Sequence, residues 1–397
     1  MPDNETVDPG MLLLGEGSGD RPHAVYSELL ERCPVGRSPD ANLPGVYVSG
    51  YEEVAWALRH PEVFSSSAEA LEIGQSQPLI PVQVDPPLHT RYRALLNPMF
   101  KPKAIAELEP QVRAYVNNLL DGLVDRGHCN FHDEFATPLP STIFLRLMGL
   151  PQEDLPQFLR WRDDTIRPDV EPGDTEGAAR AREAASQAIG AYFEAAIERA
   201  REEPGDGLFG QIVGAELDGR PLDEAELLGI SHLMLLGGLD TVTAALDCMV
   251  AYLARHPDRR QALVDDPTLV PKAVEELLRQ QTPVMLLPRV VREPVTLGGV
   301  ELQAGEPAVL VIGAANSDER VFAGADEVDF GRDNGRHVAF GVGHHFCLGA
   351  HLARLELRVA LEELHRRIPD YRLRNGADIH FTAGIRQATG LEIEWTP

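Results

Sequence analysis

The sequence predicts a mainly α-helical fold with a small β portion, built as a single domain over residues 1–397. Three observations lead there. Apolar residues recur at helical spacing along most of the chain. Alternating, β-branched stretches are few and short. Helices and strands are interspersed without forming βαβ units, which argues against a doubly wound sheet.

In chain order, Gly45–Ser49 reads as a strand, and Ala104–Asp125, Asp154–Arg162 and Glu176–Glu203 read as helices. Leu222–Arg255 reads as one helix on the order of 45–50 Å long, at about 1.5 Å per residue. It opens on Asp223-Glu224-Ala225-Glu226, a capping-box pattern. Its middle, Leu233 to Leu239, is apolar on nearly every side, so it should be buried. Gly237 and Gly238 interrupt that stretch and remove bulk where something flat can approach, and Asp240 and Thr241 follow at once. Pro271–Gln281 is a further helix. Arg289–Ile312 reads as paired strands around Gly298-Gly299, Leu348–Arg367 as a helix, and Asp370–Trp395 as a C-terminal β region.

Composition excludes several functions. Lys and Arg number 36 against 62 Asp and Glu, a net charge of −26, so nucleic acid and anionic membrane surfaces are unsuited as partners. No apolar run approaches the ~18 residues of a membrane span. The start, Met1-Pro2-Asp3-Asn4-Glu5, lacks a basic segment, and Met11–Leu14 is too short for a signal core. The expectation is a cytoplasmic monomer. Four cysteines, Cys33, Cys129, Cys248 and Cys347, lie far apart without a Cys-x-x-Cys pair and are expected to be unpaired thiols.

Cys347 stands apart from the other three. It sits in Phe340-Gly341-Val342-Gly343-His344-His345-Phe346-Cys347-Leu348-Gly349, where three glycines bracket the thiol and an amphipathic helix follows. Free N–H groups and the dipole at a helix N-terminus favour thiolate. A lone thiolate held by backbone amides suits an axial ligand to haem iron. Rival readings are a structural cysteine, a nucleophile paired with His344 or His345, and a zinc site from His344, His345 and Cys347.

Phe-Gly-x-Gly-x-His-x-Cys-x-Gly resembles the haem-binding signature of the cytochromes P-450, the haem-thiolate monooxygenases. Weaker motifs stand upstream in the family's order. Glu276-Leu-Leu-Arg279 is similar to its Glu-x-x-Arg, an i,i+3 pair able to form an ion pair on one helix face. Gly237-Gly238-Leu239-Asp240-Thr241 is similar to its oxygen-activating Gly/Ala-Gly-x-Asp/Glu-Thr, and His89-Thr-Arg-Tyr-Arg93 to a His-x-x-x-Arg beside the haem. Gly-Gly-Leu-Asp-Thr-Val and Asp85-Pro86-Pro87 lean toward the soluble bacterial, camphor-hydroxylase-like branch.

The resemblance implies a cytochrome P-450 fold, with haem b (iron protoporphyrin IX) between the long central helix and the Cys347 loop. Cys347 would ligate the iron. His89, Arg93, Arg289, His337, Phe340, Gly341, His345 and Gly349 would complete the cofactor site, with His89, Arg93, Arg289 and His337 holding propionates. Glu276 and Arg279 would be a structural ion pair, and Asp240 and Thr241 would relay protons. One atom of O2 would enter a lipophilic small molecule, terpenoid-like or another natural product, bound near Ile80, Leu236, Gly237, Met285, Leu286 and Ile385. Electrons would come from a 2Fe–2S ferredoxin and its reductase, docked on a basic patch of Arg91, Arg93, Lys101, Lys103, Arg354 and Arg358. A peroxide-driven haem-thiolate enzyme, a non-catalytic haem protein and a haem-free thiol hydrolase remain as alternatives.

Overall fold

A computed structural model describes residues 8–15, 17–38, 45–171, 173–333 and 335–397. Met1 to Glu5, the segment without a basic start, lies outside the described residues. The chain forms two compact units: one of Met1–Ser65, Leu108–Ala136 and Thr241–Pro397, the other of Ser66–Glu107 and Thr137–Asp240.

The first unit holds the sheets. Its five-stranded sheet runs Val35–Ser38, Gly45–Val48, Pro307–Val311, Leu286–Val291, Phe64–Ser65. Gly45–Val48 pairs in parallel with Pro307–Val311, and the remaining pairs are antiparallel. Val46, Val48, Ala308 and Leu310 are buried in one cluster with Val54, Ala57 and Leu58 of the Tyr51–Arg59 helix. The paired strands expected around Gly298-Gly299 are present as Val295–Leu297 and Val300–Leu302. Near the C-terminus, Glu392–Trp395 pairs with Tyr371–Leu373 and with His128–Asn130, and His380–Phe381 pairs with Ala388–Thr389.

Three helices dominate this unit: Thr241–Arg255, Val270–Gln281 and Ala350–Arg367. The last is tied to the Glu109–Asp121 helix by a web of charges. Arg113 donates to Glu109 at 2.7 Å, Glu362 at 2.7 Å and Glu363 at 2.6 Å. Arg358 donates to Glu109 at 2.6 Å and to Glu362 at 3.0 Å. Paired with two guanidinium groups, the Glu109 carboxyl titrates at about 2.

The second unit is helical apart from a Glu216–Leu217 and Arg220–Pro221 hairpin. Its main helices are Leu88–Leu96, Pro138–Met148, Leu155–Ile166, Thr175–Glu202 and Glu224–Leu239. The capping box forms as expected: Asp223 accepts from the Glu226 N–H at 2.9 Å, and Glu226 accepts from the Asp223 N–H at 2.8 Å. The same carboxylate accepts from the Tyr92 hydroxyl and from Arg220, both at 2.7 Å.

Two expected helices are each divided. Leu222–Arg255 is Glu224–Leu239 and Thr241–Arg255, separated at Asp240. At the break, the fully buried Asp240 carboxylate pairs with Arg167 and stands beside Arg162. Ala104–Asp125 is Pro102–Ala106 and Glu109–Asp121, with Pro110 in the first turn of the second piece, where its missing N–H costs nothing. Among the described residues, Glu224–Arg255 is the one helical stretch long and apolar enough to cross a membrane, and 72% of its apolar 18-residue window is buried in the protein.

Candidate functional site

The Cys347 loop closes on its own backbone. The Cys347 N–H donates to the Phe340 carbonyl at 2.9 Å, the Phe346 N–H to Gly343 at 3.2 Å, and the Gly341 N–H to Val338 at 2.8 Å. Gly341 and Gly343 hold φ of +67° and +74°, the left-handed region that glycine enters at little cost. A Cβ on Gly343 would lie 2.8 Å from the Leu58 carbonyl oxygen, so this turn has no room for a side chain. The loop delivers Cys347 just ahead of the Ala350–Arg367 helix, whose Ala350 N–H donates back to the Cys347 carbonyl at 3.4 Å. Of the four free cysteines, Cys347 alone is exposed. Burial pushes the Cys129 thiol up to about 12 and Cys248 to about 11, so neither is a nucleophile near neutral pH.

The loop rests on the Val270–Gln281 helix. Glu276 and Arg279 are both fully buried and pair through two contacts of 2.9 Å. Arg279 also donates to the Asn316 carbonyl at 2.8 Å, and the Asn316 side chain receives the Val338 N–H at 2.7 Å, two residues before Phe340. The expected structural pair thus reaches the ligand loop through one asparagine. Glu276 further accepts from Arg332 at 3.1 Å and from the Asp329 N–H at 2.9 Å, which spreads its charge over four donors.

His337 sits otherwise than the resemblance implied. Its Nδ1 accepts the Ala339 N–H at 3.2 Å, which leaves the proton on Nε2, and Nε2 donates to Glu275 at 2.9 Å. Its only N–H is therefore engaged by protein rather than turned to a propionate. Arg289 is buried, and its Nη1 donates to the Pro288 carbonyl at 2.7 Å. His345 is half-buried. Gly349 stands immediately before the Ala350–Arg367 helix, as its N-cap.

In the second unit, the Leu88–Leu96 helix carries His89, which is buried, and Arg93, whose Nε donates to Asn97 at 2.9 Å. Asp240 is fully buried. Arg167 holds both its carboxylate oxygens, and Arg162 Nε stands 3.8 Å from Oδ1. Arg162 also donates to the Leu239 carbonyl freed where the helix breaks, at 3.3 Å. Sequence reasoning missed both arginines. No spacing rule joins Arg167 to a carboxylate 73 positions away. The paired glycines divide their tasks. A Cβ on Gly238 would meet the Phe144 ring, with Cγ and Cε2 at 3.0 Å, whereas a Cβ on Gly237 would meet no atom within 4 Å.

The expected ligand-facing residues fall on separate elements. Ile80 and Leu236 are buried, and the Ile80 N–H donates to the Gly229 carbonyl at 3.2 Å. Leu286 and Ile385 are half-buried. Ile385 forms a bridge with Val284. Met285 is fully buried against Leu13, Tyr26, Tyr47 and Val311, so its place is in the core. The expected basic patch is reduced. Arg91 pairs with Asp218, Arg354 with Glu275, and Arg358 with Glu109 and Glu362. Lys101 and Lys103 remain as exposed cations. Among the described residues no group of three metal-ligating side chains converges, so the zinc reading lacks a ligand set.

Comparison with known proteins bears directly on this loop and these motifs. The family model described as Cytochrome P450 matches residues 174–367. Steroid C26-monooxygenase of Mycobacterium tuberculosis is 36% identical over 327 residues, covering 82% of this chain and 87% of that protein. Vitamin D(3) 25-hydroxylase of Pseudonocardia autotrophica is 34% identical over 365 residues, covering 90% and 89%. The chain belongs to the cytochrome P450 family. The structure of CYP109E1 from Bacillus megaterium in complex with testosterone superposes with a TM-score of 0.89 at 30% identity, covering 96% of this P450 and 99% of that chain. The enzyme is thus a P450 monooxygenase whose cofactor is haem b. The residues present fit that group. One exposed thiol stands on a glycine cradle at a helix start, and the buried Arg289 carries the positive charge that suits an anionic propionate.

Proposed function

We propose that this P450 hydroxylates a lipophilic small molecule of terpenoid or steroid-like character, in the cytoplasm, as one catalytic domain fed by a 2Fe–2S ferredoxin. The observation that carries the reading is the closed Phe340–Cys347 turn, which presents one exposed thiol at a helix start. The names of the relatives support the substrate class: a steroid monooxygenase and a vitamin D hydroxylase are sterol-shaped in their chemistry. Leu236, Leu286, Ile80 and Ile385 supply apolar surface of the kind such a ligand needs.

Haem, when bound, supplies the activation of dioxygen and the oxygen transfer itself. This chain's residues do the rest. Cys347 Sγ would hold the iron as thiolate, and its loop is fixed by the bond from the Cys347 N–H to the Phe340 carbonyl. Arg93, Arg289 and His89 would bind the propionates, and Phe340, Gly341, His345 and Gly349 would line the cofactor site. Asp240 holds a proton-accepting carboxylate at the helix break, oriented by Arg167. Thr241 begins the next helix, and its hydroxyl passes protons between Asp240 and ordered water. Lys101 and Lys103 offer positive charge to an acidic ferredoxin, which steers encounter in a salt-dependent way.

Coupling tests this assignment. Thr241→Ala and Asp240→Asn are expected to lower product formed per NADH consumed roughly tenfold, with the ferrous–CO spectrum intact. Unchanged coupling in both variants would remove the relay. Cys347→Ala is expected to abolish the thiolate-type ferrous–CO spectrum. A spin-state titration against steroids, terpenoids and fatty acids identifies the substrate class.

A further inference from the structure

The Val270–Gln281 helix presents two consecutive glutamates, and they serve different networks. Glu276 turns inward to Arg279 and Arg332. Glu275 turns to the ligand loop. Its Oε1 accepts from Arg354 Nε at 2.7 Å, and its Oε2 accepts from Arg354 Nη2 at 2.9 Å and from His337 Nε2 at 2.9 Å. This is a bidentate carboxylate–guanidinium fork with one further donor, the strong and directional form of the interaction.

Each partner touches the loop. The Arg354 guanidinium lies over the Phe340 ring, its carbon 4.4 Å from the ring centroid. A guanidinium held over an aromatic face by cation–π attraction restrains the ring. His337 holds the Ala339 N–H on Nδ1. Ala339 lies between Val338 and Phe340, whose carbonyls close the turn, and the Phe340 carbonyl is the acceptor of the Cys347 N–H. Glu275 thus holds the residue before that acceptor through His337 and the acceptor residue's own ring through Arg354. Burial alone would raise its pKa, but the hydrogen bonds from His337 and Arg354, with the charge of Arg354, bring it to about 2. The fork is therefore charged throughout the working pH range.

We propose that Glu275 is a positioning residue for the Cys347 ligand: through Arg354 on Phe340 and His337 on Ala339, it fixes the turn that sets the direction of the thiolate. The inference rests on the reading of Cys347 as the haem ligand. It also gives Arg354 a structural place in the loop instead of a place in the donor-docking patch, and it gives His337 a role other than propionate binding.

The test uses the haem-loaded enzyme and reads the ligand itself. Glu275→Gln keeps the shape and loses the charge, Glu275→Asp keeps the charge and shortens the reach, and Arg354→Lys keeps the charge without the planar fork. For each, the ferrous–CO complex is formed at mild temperature and the decay of its thiolate-type band to the form without thiolate is timed. Far-UV circular dichroism of the same samples gives the global unfolding midpoint. Losing one charge-assisted hydrogen bond is expected to speed the decay of Glu275→Gln and Arg354→Lys roughly tenfold, with Glu275→Asp in between. Glu275→Gln combined with Arg354→Lys is expected to decay no faster than either alone, because both act through one contact. Decay rates equal to the parent's, or rates that follow the unfolding midpoint alone, would overturn the inference. Should Cys347→Ala keep the thiolate-type band, the ligand reading itself falls, and Glu275 falls with it.

Discussion

Alanine at Gly238 and alanine at Gly237 are expected to act in opposite directions. Both positions lie in the last turn of the Glu224–Leu239 helix, where Gly→Ala favours helix by up to ~1 kcal/mol. At Gly237 nothing within 4 Å opposes that gain, and the family pattern itself admits alanine there. At Gly238 the new Cβ would lie 3.0 Å from Phe144 Cγ and Cε2, inside the range that real Cβ contacts avoid. Phe144 is 5% exposed in the Pro138–Met148 helix, so the ring cannot swing into solvent. Overpacking of this kind costs about 1–3 kcal/mol. Subtracting the helix gain leaves Gly238→Ala destabilising by roughly 0–2 kcal/mol, and the two variants separated by about 1–3 kcal/mol. The assay is thermal unfolding by far-UV circular dichroism at equal haem saturation, read as the order of midpoints because cofactor proteins depart from two-state melting. Phe144→Leu in the Gly238→Ala background is expected to recover most of the loss. A Gly238→Ala midpoint raised as far as that of Gly237→Ala would refute the packing argument.

Three further outcomes follow from geometry already described. Arg279→Ala strips the fully buried Glu276 of its main partner and is expected to cost about 3–5 kcal/mol, toward the lower end because Arg332 remains; a urea midpoint lowered by less than ~1 kcal/mol equivalent contradicts this. Burial holds His232 and His365 neutral, with pKa values of about 4 against a usual 6.5, so the unfolded chain takes up protons first and stability falls as pH drops from 6.5 toward 4. Glu275, and Glu226 under its hydrogen bonds from Arg220, both near 2, add a second loss as pH falls from 4.5 toward 2. His232→Phe is expected to flatten the upper window in urea midpoints measured against pH, and an unchanged slope there removes His232 from the account. Charge reversal at Lys101 and Lys103 is expected to slow ferredoxin-driven reduction severalfold at low salt and little at high salt, since only exposed charges are screened this way. Equal rates at both salts would leave donor docking without these lysines.

Much of the architecture was legible because it rests on local rules. The capping box at Asp223, the strand pair about Gly298-Gly299 and the glycine-bracketed cysteine each declare themselves within ten residues. Two helices that begin on proline did not show themselves. Pro22–Arg32 and Pro138–Met148 open on residues that read as loop until proline's fitness for the first turn is considered. The break at Asp240 was illegible for another reason. The Asp240 carboxylate meets Arg162 and Arg167, whose distance in sequence carries no periodic signal. Within the site, Glu276 matched a pattern and its neighbour Glu275 did not, although the two carboxylates sit on one helix and serve one loop. Motif spacing finds residues whose partners are near in sequence, and Arg354 is 79 positions from Glu275.

The charge web between the Glu109–Asp121 and Ala350–Arg367 helices has a consequence for heat. The hydration that ions give up on pairing weakens as temperature rises, while apolar burial gains little more. A network of Arg113, Arg358, Glu109, Glu362 and Glu363 therefore holds relatively better on warming than the apolar contacts around it. The helix that follows the cysteine is the one so tethered. Its amide protons are expected to be among the slowest of the enzyme to exchange with solvent, and the ligand end of the molecule among the last parts to open.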